Sequence, residues 1–277
     1  MQMFQILISL VRGKFVAMFL GPAGMGMASL FTATADTLQR FASLGLNLAV
    51  VRDVAAARDD SDKAREVIVA ARRIILLSAV AGALICLALS SVLSTVAFGD
   101  TSNTWGMMLL AAVVLCTILW QGKMSVLQGL HHIKPLSRAN IVGGLAGLLV
   151  GVPLYWLWGA SGIVPAMIVY AATMLAFYSY ETRRYVDTSG LRFSWAAHKH
   201  LVRSLILTGL LFMSGDLIGS VCTLSLNTFV RYMGGLADVG IWQAANSLTN
   251  QYAAVIFSAM AMDYLPRLST AIGNGDP

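Results

Sequence analysis

Residues 12–55 read RGKFVAMFLGPAGMGMASLFTATADTLQRFASLGLNLAVVRDVA, two apolar runs that meet at Gly21-Pro22-Ala23-Gly24. Arg12 and Lys14 precede this turn, and Asp36 and Arg40 lie deep in the run that follows it. An ionisable side chain in mid-membrane costs roughly 2.5–3.5 kcal/mol on insertion scales, so such residues face a polar interior or one another. The stretch therefore predicts a helical hairpin with a charged inner face.

Outward from it the chain stays apolar. Of the 277 residues, 57% are apolar and 12% charged, with a mean hydropathy of +0.73, whereas a soluble domain is about 25% charged. An all-α polytopic membrane protein follows. A crossing helix needs about 20 apolar residues, which gives eight transmembrane helices near 2–20, 25–51, 74–98, 105–130, 139–158, 162–181, 204–230 and 239–264. Fourteen of the 19 Lys and Arg residues fall in loops on one side of these spans, and only Arg231 on the other. The remaining four, Arg12, Lys14, Arg40 and Lys123, lie inside spans. The positive-inside rule puts both chain ends in the cytoplasm. A net charge of +6 spread over short loops argues against a nucleic-acid partner. The first apolar run lacks a small-residue cleavage motif and is interrupted by Arg12, so it reads as a retained span.

Cys86, Cys116 and Cys222 sit in apolar runs without a CxxC, as packing residues do. His131 and His132 have no ligands at metal spacing, and no nucleophile–base pair or phosphate loop occurs. No catalytic residue, metal or cofactor is expected, and the chain does not read as an enzyme. Gly143, Gly147 and Gly151 form a small-residue stripe that admits a close neighbour. Pro153 and Pro165 predict kinks in the fifth and sixth spans. Tyr155, Trp156 and Trp158 fit an outer aromatic belt, and residues 190–203, GLRFSWAAHKHLVR, fit an amphipathic helix on the inner surface.

The hairpin has an echo. Shifted by 214 residues, FVAMFLGPAGMG (15–26) aligns with FVRYMGGLADVG (229–240), matching Phe15, Val16, Gly21 and Gly26 to Phe229, Val230, Gly235 and Gly240. Each segment ends an outward span and enters an inward one, which predicts a parallel repeat of six spans. The domains are then 1–184, a six-helix lobe; 185–203, a cytoplasmic amphipathic linker; and 204–277, two helices of a second lobe. By this arithmetic the second lobe is incomplete and the chain reads as truncated.

The pattern Gly13-Lys14, Ala17, Gly21-Pro22-Ala23-Gly24-Met25-Gly26, Leu44-Gly45 and Val50-Val51-Arg52-Asp53-Val54-Ala55 resembles the bacterial O-antigen and lipid-linked oligosaccharide flippases. These are polysaccharide transporters of the multidrug/oligosaccharidyl-lipid/polysaccharide exporter superfamily. A second block, from Val239-Gly240-Ile241-Trp242-Gln243 through Tyr252 to Leu265-Pro266 and Leu268-Ser269, is similar to the same family, as is Lys123 with Leu127 and Gly129. The resemblance implies about twelve helices in two lobes, in the bacterial cytoplasmic (inner) membrane. It also implies transport of an undecaprenyl-pyrophosphate-linked glycan, an O-antigen or similar surface polysaccharide unit, to the outer leaflet by alternating access. Polysaccharide-assembly membrane proteins are the implied partners.

Such cargo needs a cationic path for its pyrophosphate. Arg12, Lys14, Arg40 and Lys123 are the candidate substrate-binding residues, and Asp36 and Asp216 the ion-coupling candidates. At each, a structural reading stands beside the functional one. Asp36 and Arg40, four apart on one face, are equally suited to neutralise each other. Lys14 suits an interhelical pair, Asp216 a pair with a cation of the first lobe, and Lys123 snorkelling to the inner surface. The rival functions are a drug/cation antiporter of the same superfamily, which would want an acidic interior, and a membrane-embedded glycan polymerase or ligase, which would want a sizeable outer loop. A non-transporting fragment is the fourth reading.

The loop charges generate a topology test. In a variant lacking the three native cysteines, Ser102→Cys should react with an impermeant thiol reagent from outside, and Ser61→Cys only after the membrane is opened. Reversed labelling would overturn the orientation.

Overall fold

The computed structural model describes residues 2–58, 60–186 and 195–249, and all regular structure among them is helical. The first helix, α1 (Gln2–Ser43), is helical on both sides of Gly21, whose φ of 65° and ψ of −171° break it. Only glycine adopts that conformation without strain. Pro22 then starts the second limb, where its missing N–H leaves no bond unmade. Residues 9–17 and 25–36 line one cavity, whereas a straight helix would hold Arg12 and Asp36 about 36 Å apart. The limbs therefore fold back on each other, and the hairpin is formed.

The second span is less regular than its sequence suggests. Leu44 and Gly45 both take positive φ, 49° and 65°, so the expected 25–51 helix is broken and resumes as α2 (Leu46–Ala56). The break coincides with a crossing: a Cβ on Gly45 would run into the carbonyl of Gly209, and one on Gly209 into that of Leu44.

The expected loop 52–73 is largely helical. Helix α3 (Ser61–Ala88) starts at Asp60, whose Oδ1 accepts from the N–H groups of Asp62 and Lys63 at 3.2 and 3.3 Å. The hydrogen bond from the Lys63 ammonium, 3.0 Å away, holds the Asp60 carboxyl below its ordinary range. Arg65, Arg72 and Arg73 thus ride on the extended end of the third span. That span also divides at Leu89, giving α4 (Ser90–Phe98).

Next come α5 (Thr104–Gly129), α6 (Ile133–Trp158), a 3-10 turn (Gly159–Gly162) and α7 (Ile163–Tyr185). The glycine stripe sets how α6 and α7 pack. Gly143 meets Met174 and Phe177, Gly147 meets Tyr170 and Thr173, and Gly151 meets Ala166. These pairs keep a constant register sum, as an antiparallel pair must, while Gly144 faces Ile8 of α1. Helix α6 continues through Pro153, and Pro165 stands in the first turn of α7 rather than at an interior kink. Trp156 and Trp158 are exposed as the aromatic belt requires, but Tyr155 is buried, pointing inward.

Helix α8 (Trp195–Gly234) is continuous over 40 residues, so 195–203 belongs to the seventh span and is not a separate surface helix. Residues 187–194 lie outside the described residues. Helix α9 (236–249) follows Gly235, whose φ is 95°. The second limb of α1 and α8 run antiparallel, joined at Ser29–Asn227, Thr37–Ser220 and Arg40–Asp216, with the Gly45–Gly209 crossing just beyond the limb. Helix α9 crosses the same limb where Gly26 and Gly240 touch backbone to backbone.

Five helical stretches are long and apolar enough to cross a membrane. Gly21 divides the first of them, Leu7–Ser43, and the 3-10 turn divides Ile133–Tyr185, which makes seven crossings among the described residues. Two apolar zones fill the bundle. One gathers Leu46, Val50, Ile68, Ile118, Leu127 and Tyr178, and the other Leu30, Phe31, Phe98, Met107, Leu110 and Ile163. The outward faces of α3 and α8 expose Leu77, Leu84, Leu211 and Ile218, as a lipid-facing surface does.

The Gly26–Gly240 contact generates a stability test. A Cβ on Gly240 would collide with the carbonyl of Pro22, whereas nothing lies within 4 Å of one on Gly219. Gly240→Ala should cost about 1–3 kcal/mol, as overpacking does, and lower the detergent melting temperature, whereas Gly219→Ala should be neutral or stabilising. Equal melting temperatures would show that the contact is not made.

Candidate functional site

A cavity of about 480 Å³ opens between the limbs of α1, the α6–α7 junction, α8 and α9. Arg12 and Lys14 form one wall, Asp36 stands at its end, and Thr223, Asn227, Gln243 and Ser247 form the wall opposite. The hairpin creates this arrangement. Lys14 and Arg12 lie seven and nine residues before Gly21, about 10 and 13 Å below the turn at 1.5 Å per residue. The Arg12 guanidinium lies over the Tyr170 ring, 5.6 Å from its centroid, a contact that orients it without neutralising it. Tyr155 lines the same cavity.

Asp36 also borders two smaller cavities. One, about 260 Å³, is shared with Gln39, Arg40, Asn47, Gln121 and Asp216. The other, about 220 Å³, is shared with Arg40, Asp216, Ser220 and Thr223. Arg40 divides its charge: its Nη1 lies 3.3 Å from Oδ2 of Asp216 on α8, and it stays within electrostatic reach of Asp36. Both partners of that bridge are about half exposed, so it is worth at most about 1 kcal/mol. Asn47 Nδ2 donates to Gln121 Oε1 at 2.9 Å. A polar seam thus runs along the joint from Ser29 to Asn47.

The candidate residues do not all meet. Arg12, Lys14 and Asp36 share the large cavity, and Asp36, Arg40 and Asp216 the smaller ones. Lys123 stands elsewhere, within electrostatic reach of Arg72 on α3 and Arg183 on α7. On α5 it is Trp120, Gln121 and Met124 that face the joint, and Lys123 is turned roughly 100° away from Met124. Arg52 is paired with Asp53 at 2.8 Å. Asp263 and Arg267 lie outside the described residues. Among the described residues no group of His, Cys, Asp or Glu could hold a metal ion. Reading for charge missed the amides Gln39, Asn47, Gln121, Asn227 and Gln243. Their signal was available, since amides inside apolar runs must also find partners.

The sequence profile of the polysaccharide biosynthesis protein family matches residues 1–271. The chain belongs to that family. Similar curated members include the Lipid III flippases of Escherichia coli (strain K12) and Shigella flexneri, each 26% identical over 267 residues. The match covers 94% of this chain but 62% of theirs, so the chain spans less than two thirds of their length. Among solved structures, an inward-facing multidrug resistance MATE family transporter of the MOP superfamily superposes with a TM-score of 0.73. It is 18% identical and the alignment covers 96% of this chain and 65% of that one. This family member therefore has the MATE-type helical membrane fold.

The Arg40–Asp216 pair is testable by charge exchange. Arg40→Asp or Asp216→Arg alone should set two like charges together and lower stability by about 1 kcal/mol, read as a lower melting temperature. The double exchange should restore most of it. Additive losses would show that the two charges do not interact.

Proposed function

We propose that the protein is a flippase that moves an undecaprenyl-pyrophosphate-linked oligosaccharide, of the O-antigen or similar surface polysaccharide class, from the inner to the outer leaflet of the bacterial cytoplasmic membrane. The observation that carries this reading is the pair Arg12 and Lys14 facing a cavity between helices that otherwise expose apolar side chains to lipid. A pyrophosphate requires such cations, Arg through paired N–H donors and Lys as a compact charge. The relatives named Lipid III flippase support the cargo class.

Residues 1–184 form the first lobe in this reading, and the second begins with α8, which takes in the 195–203 part of the expected 185–203 linker. Support comes from the echo, because residues 214 apart touch. Ser29 Oγ donates to Gln243 Oε1 at 3.0 Å, Gly26 abuts Gly240, and Gly21 and Gly235 share positive φ. Residues that meet their own counterparts lie on the axis relating two repeats. Alternating access then opens and closes the polar seam between the lobes, with both chain ends cytoplasmic, as the basic loops favour. Asp36, which borders all three cavities, is the leading coupling carboxylate; Asp216 is tied to Arg40.

The test is a set of Arg12 variants of the full-length protein in a strain lacking its own flippase. Arg12→Lys should restore part of the surface polysaccharide, since the charge remains. Arg12→Glu should restore none while inserting at the normal level. Normal polysaccharide from abundant Arg12→Glu protein would overturn the reading.

A further inference from the structure

The cavity wall opposite the cations is neutral and polar. Asn227 is 1% exposed and lines the cavity. Its Nδ2 donates to Ser29 Oγ at 3.1 Å, and that hydroxyl donates to Gln243 Oε1 at 3.0 Å. Oδ1 of Asn227 is buried and has no hydrogen-bond partner among the described residues. An amide oxygen left unbonded in a buried site carries an uncompensated desolvation cost, so its retention beside a cavity points to a ligand donor.

The network shares a level with the cations. Ser29 lies eight residues beyond Gly21, Gln243 eight beyond Gly235, and Asn227 seven before Gly234, so all three sit about 10–12 Å from their turns. Arg12 and Lys14 are about 10–13 Å from theirs. One cavity of about 480 Å³, within the usual range for small-ligand sites, thus carries two cations on one wall and a hydrogen-bonding shelf on the other.

We infer that Asn227, held by Ser29 and Gln243, is a specificity residue that binds a hydroxyl or acetamido group of the sugar next to the pyrophosphate. This rests on the flippase reading, from which it takes the pyrophosphate on Arg12 and Lys14. The shelf reads the sugar, while the cations read a group common to every lipid of the class. A site built to hydrogen-bond a substrate group rejects the analogue lacking it, because its own polar atoms are then left unpaired.

Full-length protein in detergent is presented with undecaprenyl pyrophosphate and the same lipid bearing one N-acetylhexosamine, in competition, with bound species counted by native mass spectrometry. The wild type should prefer the sugar-bearing lipid about tenfold. Asn227→Leu should lower that ratio about fivefold, the equivalent of one hydrogen bond. Ser29→Ala, a smaller change that removes the hydroxyl orienting both amides, should lower it about threefold and stands in if Asn227→Leu does not fold. Arg12→Gln should weaken both lipids together and keep the ratio. Binding of neither lipid by the wild type would sink the flippase reading and this inference with it. Equal binding of the two lipids, or a preference that survives both shelf variants, would overturn the inference alone.

Discussion

A charge cannot face hydrocarbon cheaply, and in this chain that constraint meets a shortage of partners. Arg12, Lys14, Asp36 and Arg40 occupy the middle reaches of a single hairpin, too many for one helix face to neutralise locally. The fold answers by reversing α1 at Gly21, so that both limbs turn their charges to a common side, and by laying α8 and α9 along the second limb. Apolar packing elsewhere is permissive. In lipid it favours contact by dispersion and close fit, with no hydrophobic drive toward one partner over another. The polar seam is what selects this arrangement of α1, α8 and α9.

Much of this was legible in the sequence because the relevant signals are local or periodic. A run of apolar residues and a turn at Gly-Pro announce a hairpin without knowledge of anything distant. The stripe at Gly143, Gly147 and Gly151 likewise announces a close neighbour, which proves to be α7. What stayed hidden were choices between partners. Arg40 has Asp36 four residues away on its own helix, yet the structure pairs it with Asp216, because α8 brings that carboxylate to 3.3 Å. Lys123 lies toward the inner end of α5 and is turned away from the joint that Gln121 and Met124 face, and hydropathy carries no information on which way a span is rotated. Tyr155, read as an interfacial belt residue, turns inward for the same reason. The helix breaks at Leu44-Gly45 and Leu89 were invisible to a count of apolar residues, which registers length and not backbone continuity.

Charge and amide side chains divide the work along the seam. Charges mark it in the sequence, while amides and hydroxyls make most of its hydrogen bonds: Asn47 with Gln121, Asn227 with Ser29, Ser29 with Gln243. Neutral groups cost less to bury than ions, so they can be held at fixed distances deep in the bundle. The charged side chains keep more contact with the cavities, where Asp36, Lys14, Arg40 and Asp216 remain exposed.

The glycine contacts flanking the seam, Gly26 with Gly240 and Gly45 with Gly209, join bare backbone to bare backbone. No rotamer is frozen when such surfaces meet, so closing them carries almost none of the entropy that ordering long side chains would exact. Each glycine also turns a Cα–H toward a carbonyl oxygen, and the dispersion that joins them is short in range: a gap of 0.5–1 Å forfeits roughly a quarter to a half of it. Wherever these helices separate, the attraction fades over the first few ångströms, and they close again with nothing to re-order.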